Sequence, residues 1–207
     1  MKQASNALFA MSIAIQQLFR KSTFNKKSLA VIIMLGAFFV SGCTKDEVKQ
    51  NELQNQETKS VNSDGNVLLL YEGLDEMTMW ELQQARAATA KYRHLDKALK
   101  DGYVDINVVR PGMGYHFMNT DLVDGTFDIR KPEMLVYNID EDGVYQLVAV
   151  EYAVPLSLSP EAPAGFTGSN DIWTNNAEFQ LWLLHAWVWQ YNPLGVFNPT
   201  NPDVIIL

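Results

Sequence analysis

The chain has 207 residues, 47% of them hydrophobic, and a formal net charge of −8. That composition excludes a wholly disordered chain, and so acidic a balance argues against a nucleic-acid partner, whose phosphates it would repel. A single cysteine, Cys43, rules out an internal disulfide and a cysteine-built zinc site, so any metal must be held by His, Asp or Glu.

The first 43 residues carry Lys2, Arg20, Lys21, Lys26 and Lys27 and no acid. Everything after them is therefore five units more negative than the whole. Within "KKSLAVIIMLGAFFVSGC" a basic pair precedes an apolar run from Leu29 to Val40, and the small residues Ser41 and Gly42 precede Cys43. This is the plan of a secretory signal, and the apolar run falls short of the roughly 20 residues that span a bilayer. "VSGC" resembles a bacterial lipobox, which implies removal of residues 1–42 and a diacylglyceryl group on Cys43. The true start is open between Met1 and Met11. Thr44 follows the cysteine in place of the aspartate linked to inner-membrane retention. "KDE" at Lys45–Glu47 resembles the surface-export signal of Bacteroidota lipoproteins. The resemblance implies a lipid anchor in the outer membrane and exposure at the cell surface. Residues 43–65 have almost no apolar content and read as a polar stalk, too poor in apolar surface to offset the entropy of ordering.

Residues 66–207 read as one α+β domain. "MTMWELQQARAATAKYRHLDKALKDGY" places Leu82, Ala85, Thr89, Tyr92, Leu95 and Leu99 at helical spacing. The expectation is a long N-terminal helix, or a helix pair bent near Tyr92–His94, stopped by Gly102 and packed on a mostly antiparallel sheet. The period then changes to two. "YVDINVV", "MGYHFMN", "EMLVYNI", "VYQLVAVEYAV" and "FQLWLLHAWVW" are rich in β-branched and aromatic residues and read as strands. "DEDG" (Asp140–Gly143) reads as the turn of a hairpin. "LSLSPEAPAGFTGSND" is a long Pro/Gly loop, and the Asn-Pro-rich tail from Tyr191 reads as ordered coil.

The stretches "GMGYHFMN", "VAVEYAVP" and "LHAWVWQYNPLGVFNPTNP" resemble a family of small secreted bacterial proteins and lipoproteins. That resemblance covers about residues 84–203 and implies a shared fold unit without an assigned activity.

Three strands each carry one titratable side chain among apolar neighbours: His116 with Gly114 and Met118, Glu151 with Leu147, Ala149 and Ala153, and His185 with Trp187 and Trp189. A buried charge is costly unless paired, so one sheet face is expected to bring His116, Glu151 and His185 together. Tyr115 and Tyr152 then fall on the opposite face. The cluster reads either as a hydrogen-bonded structural network, as the polar end of a ligand pocket, or as a two-His-one-carboxylate site for a divalent metal. Trp187 and Trp189 join it as ligand-binding candidates, with the Pro/Gly loop as a lid. Trp173, Trp182, Trp187 and Trp189 are also candidates for stacking on a glycan. No phosphate-binding loop, nucleophile elbow or calcium-binding loop is legible. No catalytic residue is assigned, and a non-enzymatic binding or structural module is preferred over a metal-dependent enzyme. His94 reads as exposed.

Overall fold

A computed structural model describes residues 65–206. The expected signal peptide, the lipidation site Cys43 and all but the end of the stalk lie outside these described residues. Helix α1 (Glu76–Thr89) is 14 residues long. Its N-cap Asp75 accepts a hydrogen bond from the Thr78 amide at 2.8 Å, which satisfies one of the free donors of the first turn. A 3-10 turn over Ala90–Arg93 then breaks the α period, and a short helix α2 (Leu95–Lys100) follows. The bent pair, rather than one long helix, is what forms. The bend moves the inward face forward: Leu82, Ala85, Thr89 and Tyr92 are buried, then Ala98, while Leu99 turns outward. Among the described residues no helix is long and apolar enough to cross a membrane.

Six strands follow: β1 (Val104–Arg110), β2 (Gly114–Met118), β3 (Met134–Ile139), β4 (Tyr145–Pro155), β5 (Thr174–Asn176) and β6 (Leu181–Ala186). They form one curled antiparallel sheet in the order β1-β2-β3-β4-β6-β5. The Asp140 carboxylate shapes the β3–β4 hairpin by accepting from the amides of Asp142 and Val144. β5 is a three-residue polar edge strand that the sequence pattern did not reveal. "LLHAW" lies one strand in from that edge rather than at the centre.

The sheet has two unlike faces. The face toward the helices holds the main core, with Leu82, Tyr92, Phe117, Leu135, Tyr137, Tyr152 and Leu184. Tyr115 packs against that core as well, so both tyrosines expected opposite the cluster are found there. The other face carries two smaller apolar clusters. One is built on Val136, Val148, Ala149 and Trp187, the other on Met118, Met134, Ala153 and Leu181.

Two irregularities alter the strict alternation. In β4, Ala149 pairs with Val136 and Leu147 with Tyr137, so Val148 is an extra residue in the ladder. This bulge turns Leu147 to the helix-side core, away from the face of Glu151 where period two placed it. The Val148 carbonyl freed there accepts from the amides of Trp189 and Gln190. In β6 the strand ends at Ala186, because the Val188 amide bonds to the Ala186 carbonyl in a tight i→i+2 turn centred on Trp187. Val188 and Trp189 consequently both pack against the helix-side core.

Candidate functional site

Three strands, β2, β4 and β6, hold the three titratable residues. Glu151 of β4 lies directly opposite His185 of β6, and His116 of β2 sits across β3 from them. The curl of the sheet closes that distance. His116 Nε2 stands 3.6 Å from Glu151 Oε2, and His185 Nδ1 stands 3.4 Å from Glu151 Oε1. One ligand-type atom from each of the three lies within 4.8 Å of the others. His116 and His185 are each 4% exposed and Glu151 is 2% exposed, so solvent does not satisfy them.

Two backbone features set His116. Gly114 begins β2 at φ +112, and an ideal Cβ there would stand 2.4 Å from the Tyr137 carbonyl oxygen, so only glycine lets β2 approach β3 this closely. Across from it, the β1 register shifts between Asp105 and Val109, with Asn107 at φ 56. The Val108 carbonyl lies 3.0 Å from His116 Nδ1. A carbonyl can only accept, so Nδ1 carries the hydrogen, and in the neutral ring Nε2 turns its lone pair toward Glu151.

The electrostatics are those of a buried group without a compensating cation. Burial pushes the Glu151 carboxyl up to about 8, and the nearby Glu133 adds to the shift. Burial pushes His185 down to about 3, with His116 as a smaller cause, and burial also lowers His116. Burial therefore favours the neutral form of all three over ion pairs. The gaps of 3.4 and 3.6 Å are also too long for good N–H···O hydrogen bonds. His185 Nε2 is buried without any hydrogen-bond partner.

The cluster lies in the wall of a cavity of about 180 Å³ lined in part by the Met118–Met134–Leu181 cluster. Ile106, Val108, Met118, Met134, Leu181 and Leu183 form most of its apolar wall, and the exposed side chains of Arg110 and Glu178 also border it. β5 and the turn after it supply one side through Thr174, Asn176 and Phe179.

Three expectations need correction here. The Pro/Gly loop is not the lid: Phe166 packs into the helix-side core, and the Thr167 amide and hydroxyl bond to the Glu81 carboxylate of α1. These partners lie on the far face of the sheet. Trp189 is not on the cluster's face either. The turn at Trp187 carries it to the helix, where its Nε1 donates to Thr89 Oγ1 at 3.0 Å and the Arg86 guanidinium lies 4.0 Å above its ring. Trp187 keeps the expected face and stacks on His185 at 6.1 Å between centroids, but it is fully buried in the Val136 cluster and does not line the cavity. Trp182 is tied by its Nε1 to the Ser159 carbonyl, and Trp173 packs against the helix-side core. These four tryptophans form no exposed stacking platform. His94 is exposed, as expected.

Glu133 was missed. It lies just before β3, is 2% exposed and is pushed up to about 8, mainly by burial. Its Oε2 accepts from the Ala153 amide at 2.9 Å, so the carboxyl replaces a ladder carbonyl where Pro132 ends the strand. The readable signal was a glutamate immediately after a proline at a strand start.

No known protein-family model matches this chain, and neither a curated protein nor a solved structure shows significant similarity to it.

Proposed function

We propose that this chain is a lipid-anchored envelope protein of the outer membrane, facing the cell surface, whose domain is a binding module for a small, mostly apolar molecule with one polar group. The cavity is the observation that carries this reading. A mostly apolar cleft with a few convergent polar groups is the usual form of a small-molecule site. Its volume of about 180 Å³ suits a single substituted ring, since an apolar cavity of about 150 Å³ is enough for benzene. His116, Glu151 and His185 supply the polar end, and the unpartnered His185 Nε2 is an atom that a ligand group would satisfy.

The probe for this reading is 4-methylphenol, one ring with one hydroxyl. Isothermal titration of the full-length chain is expected to show saturable, one-to-one binding. Leu183→Trp, which fills the cavity from its apolar wall and leaves the three polar residues in place, is expected to weaken it by tenfold or more. An absence of saturable binding to folded protein, or equal binding by Leu183→Trp, defeats the pocket reading.

The anchor is tested separately. Metabolic labelling with a radioactive fatty acid is expected to mark the wild-type chain and not Cys43→Ala. Label that persists in the variant removes lipidation at Cys43.

A further inference from the structure

We infer that the polar end of the cavity is a divalent transition-metal site, with His116, Glu151 and His185 as its three protein ligands and a fourth position open to the cavity. This rests on the pocket reading and assigns the chemistry of its inner end.

Spacing is the first argument. Zinc binds nitrogen and carboxylate oxygen at about 2.0–2.2 Å, so neighbouring ligand atoms of a tetrahedral site stand about 3.3–3.5 Å apart. His116 Nε2 and His185 Nδ1 stand 3.6 and 3.4 Å from the two carboxylate oxygens. Those two gaps are wider than a hydrogen bond and close to the edge of a coordination tetrahedron, and one ligand atom from each of the three residues lies within 4.8 Å of the others, so an ion would draw them in. Three neutral groups held merely for structure would be expected to close to hydrogen-bond distance.

Tautomer is the second. A metal-bound imidazole commonly donates its other N–H to a backbone carbonyl or carboxylate, which fixes the ring and aims its lone pair. The Val108 carbonyl does this for His116 Nδ1. The carbonyl comes from the irregular part of β1, where the positive φ of Asn107 interrupts the ladder.

Satisfaction is the third. Glu151 is buried without a lysine or arginine bonded to it among the described residues, and the 3.4 Å gap to Glu151 leaves the buried His185 Nδ1 without a good hydrogen bond. One cation at the centre supplies the countercharge to an ionised Glu151 and engages a histidine lone pair. Two histidines and one carboxylate with an open position form a ligand set common to zinc and to non-haem iron. Here the open position faces apolar walls, which suits a ligand with one metal-binding group on a hydrocarbon body.

The test uses Zn²⁺ and the full-length chain, stripped with a chelator and purified in detergent. Titration is expected to show one tight site. His116→Ala and His185→Ala are expected to weaken it by roughly a hundredfold or more, since loss even of the groups that orient a ligand costs 10- to 100-fold. Cobalt substitution guards against variants that merely misfold. The wild-type Co²⁺ complex is expected to show the intense visible bands of a low-coordinate site, and Glu151→Gln, which keeps side-chain shape, is expected to change them. Absence of Zn²⁺ binding to folded wild-type protein overturns the proposal, as does binding that survives both histidine variants, which would place the ion on the acidic surface. If Zn²⁺ fails while 4-methylphenol still binds stripped protein, the metal falls and the pocket stands. The reverse pattern defeats the pocket alone.

Discussion

Trp187→Ala is expected to lower the stability of the folded domain by about 3–5 kcal/mol, the usual cost of deleting a fully buried tryptophan. Its ring is inaccessible to solvent and packs with Val136, Val148, Ala149 and Val204. The loss has two further parts. Trp187 Nε1 donates to the Asn198 carbonyl at 2.6 Å, and that oxygen loses its donor. The flat support under the His185 ring also disappears. Urea denaturation of the full-length chain measures the change. Trp189→Ala is the comparison. That ring is only half-buried and lies under Arg86, so about 1–2 kcal/mol is expected from lost packing and cation–π attraction. Neither ring lines the cavity, so Trp189→Ala should bind 4-methylphenol as the wild type does. A Trp187→Ala protein of unchanged stability that no longer binds the probe would make this ring part of the ligand face instead of the core.

The same stretch shows what a sequence pattern carries and where it stops. His116, Glu151 and His185 each stand alone among apolar neighbours on a period-two strand. Burial without a partner is so costly that their convergence follows from the chemistry, before strand order is known. The helix bend near Tyr92 and the Asp140 turn were legible for similar reasons, since each rests on local residue chemistry. The positions that escaped depend on single backbone events. An extra residue at Val148 turns Leu147 to the other face, and a tight i→i+2 turn at Trp187 sends Trp189 to the helix. Period two cannot register either event, because each changes only the phase of the alternation. β5 escaped because Thr174–Asn176 has no apolar pattern to read. The Pro/Gly loop escaped because its path is set by distant partners, Glu81 and the core around Phe166. Glu133 lies outside any strand, and its role exists only because Pro132 leaves the Ala153 amide to be satisfied from a side chain.

Raising the pH from 6.5 to 7.5 is expected to destabilise the metal-free domain by about 2–3 kcal/mol, through Glu133 and Glu151. Each carboxyl is pushed up from 4.5 to about 8 by burial. In the unfolded chain both ionise near 4.5, so above that pH the folded state holds two protons that the unfolded state has released. Stability from these groups is therefore fully present below pH 4.5 and is lost as pH rises toward 8. Each contributes a slope of about 1.4 kcal/mol per pH unit through the middle of that window. The histidines act on the other side. Burial lowers His185 to about 3, so its neutral folded form costs stability only below the ordinary histidine range near 6.5. Between 6.5 and 7.5 the glutamates dominate, and a surface carboxylate, ionised in both states, contributes nothing. Urea midpoints at the two pH values measure the slope. Glu133→Gln keeps an oxygen to accept from the Ala153 amide and should remove about half of it. Saturating Zn²⁺ should remove the Glu151 half, because a coordinating carboxylate gives up its proton on binding. Stability that is flat or rising between pH 6.5 and 7.5 would mean that neither carboxyl holds its proton in the fold. A slope halved by Glu133→Gln and untouched by Zn²⁺ would keep the buried pair and exclude Glu151 as a metal ligand.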